Sequence, residues 1–422
     1  MFKRRFRTAR RLQWFRDSAS LVNILTLSTV FPNPSHANFG IFVRARVQHM
    51  ASLASIRVLA PVPLADYRLR ELHLRKAIPS RQDDRIVVHH PRWIYPPGGG
   101  FLNAVCLFLR AVWPALRLDR ESRIDVIDAH FAHPDGVAAA MLAMVLRRPF
   151  TITLRGNETM HGGFRIRRLA MAWALKRAAR VIAVSEALRQ YVISLGVDPA
   201  KVKTIPNGVD TALFQPRPKG VAVRERMILS AGYLIERKGY HHLIRAVAGL
   251  RSRGVDCELN IAGGPGGEAQ YEADLRKLVT DLNLEPAVHF LGAVPPVRLA
   301  ELMSEAGVFC LASSREGWPN VVHEALACGA PVVATDIGGV PDMIPSAEYG
   351  LVVPAGDRQR LEQALEKALA SRWNRGAIAG WGQSRSWQNV SSEVIELFAE
   401  IVAEKRGAIA KPVPRLTPKV NS

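Results

Sequence analysis

Short apolar runs alternate with amphipathic segments along most of this chain, and this alternation limits the folds available to it. The runs are rich in β-branched residues, and a segment with helical spacing follows each of them from about Leu21 to about Arg375. The clearest runs begin at Ile86, Ile124, Phe150, Val181, Met227, Cys257 and Val288. Strands separated by helices pair in parallel, because a parallel connection needs a long crossover. The sequence therefore predicts an α/β protein with parallel sheets.

A proline- and cation-rich stretch at residues 216–220 interrupts the alternation near the middle of the chain. Such a stretch is typical of a linker. We predict a first α/β domain over residues 21–215 and a second over residues 216–383. Apolar side chains recur at helical spacing over residues 384–404 and predict an amphipathic helix. Residues 405–422 contain prolines without periodicity, which predicts an unstructured tail.

The chain is strongly basic, with 57 lysines and arginines against 37 acidic residues and a formal charge of +20. This charge suits nucleic acid, an anionic membrane surface or an anionic small ligand. Part of it lies in a leader at residues 1–20, where aromatic residues separate the cations. The leader fits a segment that lies on an anionic membrane and fits a solvated basic tail equally well.

The sequence predicts a cytoplasmic location. The apolar run at residues 21–30 is too short and polar for a secretory signal, and no small-x-small cleavage site follows it. No apolar run reaches transmembrane length. The four cysteines lack metal-ligand spacing, which indicates reduced, buried thiols. The basic leader is the element that would hold the protein at the inner face of the cell membrane.

Two glutamates eight positions apart, Glu316 and Glu324, flank a Gly-Trp-Pro-Asn turn. An apolar run before the pair predicts a buried strand, and a helix is predicted to begin at about Asn320. Glu316 would then lie in the loop at the carboxyl end of the strand, where ligands bind in open α/β sheets. Two carboxylates there could accept hydrogen bonds from a sugar and a ribose. Taken alone, the pair also fits a solvated loop acid and an acid favoured by the helix dipole.

A second loop combines glycine with adjacent cations. Gly232 follows a predicted strand, and Arg237 and Lys238 precede Gly239 at the start of a predicted helix. Glycine allows a ligand to approach the backbone, and cations beside a helix N-terminus suit a diphosphate. A solvated basic turn would contain the same two cations. A ligand-binding role for this loop is favoured only because the glutamate pair follows it in the sequence.

The Glu-x7-Glu spacing, the Lys-Gly loop and the glycine turns after them resemble the retaining glycosyltransferases of family 4, which have the GT-B fold. The resemblance covers nearly the whole second domain. It implies two Rossmann-like, doubly wound domains that face a central cleft. It also implies that the helix at residues 384–404 returns to the first domain.

The resemblance implies roles for residues of the second domain. Glu316 is expected near the hydroxyl groups of the donor sugar, Glu324 at the ribose and Lys238 at the nucleotide pyrophosphate. The family has an arginine where this chain has Tyr233, so Arg237 is expected to replace it. The other donor-binding residues expected on this basis are Gly232, Tyr233, Leu291, Asn320, Val321 and Val322.

In the first domain the resemblance implies contacts to both substrates. Gly40 lies where a glycine loop of the family approaches the donor phosphates. His130 matches a family histidine that contacts the donor sugar. Arg155, Asn157 and Glu158 resemble a turn of the family and are expected to line the acceptor side.

A metal site is the other interpretation of the same strand end, with His130, His133 and Asp135 as ligands. Their spacing is loose and no second cluster supports it, so the sequence argues against metal. The chain also lacks the Asp-x-Asp motif that holds a divalent ion in the other major transferase fold. We therefore predict a site without metal or cofactor, in which cations and a helix N-terminus stabilise the leaving diphosphate.

The predicted activity is transfer of a hexose from a nucleotide diphosphate sugar, with retention, to a cell-surface polysaccharide or a lipid-linked glycan. The loop at residues 31–43 resembles teichuronic-acid and exopolysaccharide transferases. One alternative is a GT-B sugar-nucleotide epimerase, which would turn over with donor alone. The other is a basic nucleic-acid-binding protein, but the chain has no nucleic-acid motif, so nucleic acid is not expected as a partner.

Overall fold

Two parallel β-sheets organise the chain in the computed structural model, which confirms the predicted α/β class. The structure describes residues 22–33, 36–66, 71–72, 81–83, 86–95, 100, 102–217 and 222–407. The basic leader, most of the predicted linker and most of the predicted tail lie outside the described residues.

The strands of the first half of the chain form one large sheet and two small pairs. These strands are β1 (Asn23–Leu27), β2 (Ser55–Leu59), β3 (Val62–Pro63), β4 (Ala65–Asp66), β5 (Glu71–Leu72), β6 (Arg81–Asp83), β7 (Ile86–His89), β8 (Arg92–Trp93), β9 (Val126–His130), β10 (Phe150–Leu154), β11 (Arg180–Ala183) and β12 (Val202–Thr204). Eight of them form one sheet in the order β12-β11-β10-β9-β1-β2-β7-β6, and β3-β8 and β4-β5 form two small pairs. In the large sheet only β6 pairs antiparallel. The strand order reverses at β1, and such a reversal opens a crevice at the carboxyl ends of the strands.

The second sheet is parallel throughout. Its strands are β13 (Arg224–Ala231), β14 (Glu258–Ala262), β15 (Val288–Gly292), β16 (Ala306–Leu311), β17 (Val332–Thr335) and β18 (Gly350–Val353). They lie in the order β15-β14-β13-β16-β17-β18, so the order reverses at β13. The carboxyl ends of β13 and β16 are therefore neighbours, and the predicted glycine loop and the first motif glutamate follow these two strands.

Helices connect the strands and cover both sheets. They are α1 (Ile41–Met50), α2 (Leu102–Glu121), α3 (Val137–Leu146), α4 (Glu158–His161), α5 (Arg165–Arg177), α6 (Glu186–Ser194), α7 (Tyr240–Ser252), α8 (Ala269–Asp281), α9 (Pro296–Glu305), α10 (Asn320–Ala327), α11 (Val340–Met343), α12 (Arg358–Ala370), α13 (Arg375–Gly382) and α14 (Trp387–Lys405). Shorter turns are the π-helical Ala132–Gly136 and the 3₁₀ turns Pro199–Lys201 and Glu236–Lys238. Within the described ranges, no helix has both the length and the apolar character needed to cross a bilayer.

The last helix, α14, packs on the first domain although it follows the second in sequence. Its buried face, including Phe398, shares one apolar core with Val47 of α1. The hydroxyl of Ser391 donates to a main-chain oxygen of α1 at 3.3 Å. The helix begins at Trp387 because Ser386 caps it, its hydroxyl accepting from a backbone N–H three residues later at 3.2 Å. The second domain is therefore tied to the first at both ends.

Candidate active site

Loops at the carboxyl ends of the two sheets touch each other. Arg155 and Gly156 follow β10, and Gly317 follows β16. A Cβ atom placed on Gly317 would lie 2.0 Å from the carbonyl oxygen of Arg155, so the two backbones are in direct contact. The backbone N–H of Glu186 also donates to Asp342 of the second domain at 2.8 Å. Several of the residues predicted for the site lie in or next to these loops, on the first domain from Arg155 to Glu158 and on the second from Glu316 to Asn320.

Glu316 holds the two predicted cations of the second domain. Its Oε1 accepts from Lys238 Nζ at 2.7 Å, from Arg237 Nη1 at 3.1 Å and from the Ser313 hydroxyl at 3.1 Å. Burial alone would raise the pKa of Glu316, but the charges of Lys238 and Arg237 hold it below its usual value. Within the described part of the chain its Oε2 has no hydrogen-bond partner. One oxygen therefore orders the cations, and the other is free to accept from a ligand hydroxyl.

The glycine loop between β13 and α7 places these cations. Gly239 has a φ of 69° and caps α7, and a Cβ there would lie 2.1 Å from the carbonyl oxygen of Ala312. Only glycine fits this position, because both the backbone angle and the space exclude a side chain. A Cβ on Gly232 would lie 3.2 Å from the Lys238 side chain, so the loop folds back over it. Tyr233 is 56% exposed at the surface of this loop.

Helix α10 begins at Asn320, as the sequence predicts, and its N-terminus has no side-chain cap. Among the described residues, the backbone N–H groups of Asn320 and Val321 have no acceptor, whereas that of Val322 donates to the carbonyl of Pro319 at 3.0 Å. Two amides are thus available to an anion. Val322 is fully buried and its amide already has an acceptor, and its expected contact with the donor stays a prediction.

Glu324 lies one turn into α10 and is half-buried. Its carboxylate makes no hydrogen bond and no ion pair with any residue in the described ranges. Burial raises the pKa of Glu324 to about 7. An acid kept from water without a partner costs stability, and groups of this kind concentrate at functional sites.

His130, at the end of β9, lies inside the first domain and does not reach the cleft. The side chain is fully buried. Its Nδ1 accepts from the Arg155 guanidinium at 2.9 and 3.1 Å, and its Nε2 donates to Asp128 Oδ2 at 3.2 Å. Burial, with Arg155 nearby, lowers the pKa of His130 to about 3 although Asp128 opposes the shift. Both nitrogens of the neutral ring are therefore occupied by protein partners, and the expected contact of His130 with the donor sugar stays a prediction.

A buried chain of hydrogen bonds runs from His130 to the second domain. Arg155 Nη1 donates to Asn207 Oδ1 at 2.6 Å, and Asn207 Nδ2 donates to Asn320 Oδ1 at 2.9 Å. The inner end is closed by Arg46, which pairs with Asp128 at 3.0 Å. The core of the first domain is thereby connected to the first residue of α10.

The three residues expected on the acceptor side occupy different environments. Arg155 is buried in this hydrogen-bonded chain. Glu158 is also buried, and its oxygens accept from the backbone N–H groups of Ala132, Arg155 and Gly156 at 2.7–3.4 Å. Both side chains are hydrogen-bonded within the protein, and their expected place on the acceptor side stays a prediction. Asn157 is exposed.

Gly40 and Leu291 lie at strand or helix ends. Gly40 has a φ of 73° and caps α1, and a Cβ there would lie 2.4 Å from the carbonyl oxygen of Val30. The turn after β1 therefore requires glycine. Leu291, near the end of the edge strand β15, is 37% exposed.

Comparisons with known proteins identify the family. Residues 56–213 match the family model described as Glycosyltransferase Family 4, and residues 213–379 match the model described as Glycosyl transferases group 1. A D-inositol 3-phosphate glycosyltransferase of Pseudarthrobacter chlorophenolicus is 30% identical over 321 residues, covering 71% of this chain and 76% of that protein. This chain belongs to glycosyltransferase family 4.

Other similarities agree with this assignment. The putative teichuronic acid biosynthesis glycosyltransferase TuaC of Bacillus subtilis is 27% identical, covering 82% of this chain and 88% of that protein. The crystal structure of HepE from Anabaena in complex with UDP has a TM-score of 0.66 at 22% identity, covering 92% of this chain and 100% of that chain. Sucrose-phosphate synthase from Thermosynechococcus elongatus has a TM-score of 0.66 at 20% identity, covering 92% and 98%. The fold of this glycosyltransferase is GT-B, as predicted.

Sequence reasoning missed Asn207 in this family 4 glycosyltransferase. The residue belongs to the segment Pro-Asn-Gly-Val-Asp, which the pattern predicts only as a tight turn. The neighbouring Gly208 packs closely on α14, where a Cβ would lie 2.5 Å from the backbone of Trp387, but this contact is not visible in the sequence. Only the folded chain brings Asn207 between Arg155 and Asn320.

Proposed function

We propose that this glycosyltransferase moves a hexose from a nucleotide diphosphate sugar to a glycan acceptor, with retention at the anomeric carbon and without a metal ion. The observation that carries the proposal is the grouping of Lys238, Arg237 and the open N-terminus of α10 around Glu316. All four lie at the carboxyl ends of the second sheet. Glu324 supports it as a half-buried carboxylate that has no partner among the residues that the structure describes.

The cations and amides suit a diphosphate leaving group. Lys238 and Arg237 contribute two positive charges against the single charge of Glu316. The free N–H groups of Asn320 and Val321 add donors at the positive end of a helix dipole. Groups that are fixed before the reaction stabilise the charge that develops on the departing diphosphate. Lys238 is the better placed of the two cations, because its side chain is 11% exposed against 41% for Arg237.

The two glutamates suit the neutral parts of the donor. Glu316 Oε2 is free to accept from a sugar hydroxyl while Oε1 keeps the cations in place. Glu324 is free to accept from the ribose hydroxyls. Each such hydrogen bond to a charged acceptor contributes about 1.5–3 kcal/mol.

The acceptor would enter from the first domain. Its hydroxyl would attack the anomeric carbon on the face that the diphosphate leaves, so no protein nucleophile is needed and the configuration is retained. Contact between the two domains excludes water and thereby limits donor hydrolysis. The basic first domain and the relative named for teichuronic acid biosynthesis support a cell-surface polysaccharide or a lipid-linked glycan as the acceptor.

The location that fits this acceptor is the cytoplasmic face of the cell membrane. Such a place would bring a lipid-linked acceptor to a protein that draws its donor from the cytoplasm. The basic leader would supply attraction to anionic lipid.

A thermal-shift screen tests the donor site. UDP, GDP, ADP and their common sugars are added to the wild-type protein and to Glu324→Ala. We expect one nucleotide series to raise the unfolding midpoint by mass action, and we expect Glu324→Ala to reduce that shift. An absence of any shift at saturating nucleotide would overturn the proposal. Conversion of the donor to an epimer without any acceptor would replace it with the epimerase alternative.

A further inference from the structure

His133 is a buried histidine that lies three residues after β9, and 4% of its surface is exposed. Neither Nδ1 nor Nε2 of its ring has a hydrogen bond to any residue that the structure describes. Burying a polar group in this way costs free energy unless a ligand or a water molecule forms a hydrogen bond with it. His133 thus differs from His130, both of whose nitrogens are bonded.

Two further donors lie beside this ring. The ring of His161 has its centroid 5.4 Å from that of His133. Arg167 Nη1 lies 3.4 Å from His161 Nδ1, and its guanidinium stacks 4.5 Å over the ring of Phe164. Burial lowers the pKa of both histidines, that of His133 to about 4, and the charge of Arg167 adds to each shift. The three side chains therefore form a cluster that is rich in donors and carries one fixed positive charge.

No carboxylate neutralises this cluster within the described residues. Arg167 has no ion pair there. The nearest acids in sequence are already satisfied: Asp135 accepts from Thr29 at 3.1 and 3.2 Å, and Glu158 accepts from backbone N–H groups. The arginine and the unsatisfied histidine have no acidic partner there, and their N–H groups are suited to hydrogen bonds with an anionic ligand.

The cluster lies on the first domain close to the second. His161 ends α4, and the residue before it, Met160, is 3.8 Å from the guanidinium of Arg315, which immediately precedes the motif glutamate Glu316. An open cavity of about 590 Å³ begins in the same segment, lined at this end by Thr159, Gly162, Gly163 and Arg168. None of the three cluster residues lines this cavity, so the part of the cluster open to an anion is the partly exposed edge formed by His161 and Arg167.

We propose that His133, His161 and Arg167 form a subsite that binds an anionic group of the acceptor, a phosphate or a carboxylate. The inference rests on the proposed transfer reaction, because it assigns the anion to the acceptor. A planar guanidinium and two imidazole N–H groups match the oxygens of either anion. The subsite would select acidic acceptors and hold them on the side of the cleft opposite the donor cations.

The test measures the NMR resonances of His133 and His161 as an anion is added. Full-length protein with ¹³C-labelled histidine is titrated with inorganic phosphate and with acetate, and with chloride at matched ionic strength. His133→Phe and His161→Gln assign the two resonances among the 12 histidines. We expect both resonances to move saturably with phosphate, with acetate or with both, but not with chloride. The anion that binds more tightly names the acidic group of the acceptor.

Matched variants separate a built subsite from general attraction. Arg167→Gln is expected to weaken anion binding about ten-fold. Arg165→Gln removes the same charge from an exposed position on the same helix and is expected to change it little. Lys238→Ala should also leave these resonances unaffected, because the donor cations are not part of the subsite.

Two results would overturn the inference. The first is the absence of saturable shifts at about 10 mM anion, ten times the Kd of a millimolar site. The second is an equal loss of binding in Arg165→Gln and Arg167→Gln, which would show diffuse attraction only. If nucleotides still stabilise the protein, either result removes this inference and leaves the proposed function intact. Failure of nucleotides to stabilise the protein would instead remove the proposed function.

Discussion

Glu324 is a single residue whose environment indicates a binding site, because the folded protein leaves its carboxylate without a described partner. It is half-buried, has no partner in the described ranges, and has a pKa raised to about 7. The ionised carboxylate of Glu324 destabilises the free protein, and hydrogen bonds from a donor ribose would compensate for this cost when the donor binds. The same property makes the role of Glu324 measurable without any acceptor.

Glu324→Gln is predicted to stabilise the free protein and weaken nucleotide binding. The folded protein binds the glutamate proton more tightly than the unfolded chain, so wild-type stability falls as pH rises from about 4.5 to about 7. Glutamine does not titrate, so the stability of the variant does not fall over this pH range for this reason. Thermal denaturation should show a higher midpoint for the variant at pH 8, by about 2–4 °C for each kcal/mol regained, and no difference at pH 4.

The nucleotide-binding half of this prediction has its own control. Calorimetry should give an affinity about ten-fold or more weaker in Glu324→Gln, because the charged acceptor is lost. Glu400→Gln changes an exposed glutamate on α14 and should alter neither stability nor affinity. Unchanged nucleotide affinity in Glu324→Gln would remove this residue from the site.

Lys238→Ala is predicted to weaken nucleoside diphosphate binding about 10–100-fold, because a buried charge partner of the diphosphate is lost. It also removes the 2.7 Å partner of Glu316, so the pKa of Glu316 should rise. Arg245→Ala, an exposed arginine on α7, is the matched control for loss of charge. Equal affinities in the two variants would contradict the assignment of Lys238.

At the scale of elements, local signals were sufficient for much of this site. The start of α10 at Asn320, the position of Glu324 one turn later and the loop that carries Lys238 between a strand and a helix follow from the nearby sequence. The role of His130 could not be predicted in this way. Whether a histidine at a strand end faces the cleft depends on its partners. Asp128 lies two residues earlier on the same strand, but Arg155 lies 25 residues away in sequence.

Asn207→Ala is predicted to loosen the contact between the domains. It leaves Arg155 and Asn320 without their bridging amide, which should lower the free energy of unfolding by about 1–3 kcal/mol. Small-angle scattering of the ligand-free variant should give a larger radius of gyration than wild type. Asn157→Ala, on an exposed residue of a neighbouring loop, should change neither quantity. A wild-type radius in Asn207→Ala would show that the bridge does not hold the domains together.

At the scale of the whole molecule, the contact of Gly156 with Gly317 sets how closely the domains approach. Gly317→Ala is predicted to preserve nucleotide binding and lower turnover about 100-fold, because the added Cβ would lie 2.0 Å from the carbonyl of Arg155. Steady-state kinetics alongside calorimetry would separate the two effects. Gly380→Ala is the control, since a Cβ there meets nothing within 4 Å in α13 and should stabilise that helix by about 0.5–1 kcal/mol. Turnover in Gly317→Ala equal to wild type would show that close approach is not required.

The central claim is that the donor lies at the carboxyl ends of the second sheet, beneath the first domain. A crystal structure with the nucleoside diphosphate chosen by the thermal-shift screen tests this most directly. We expect the diphosphate between Lys238 and the amides of Asn320 and Val321, with Glu324 accepting from the ribose. A nucleotide bound elsewhere, or one whose phosphates avoid Lys238 and α10, would contradict it.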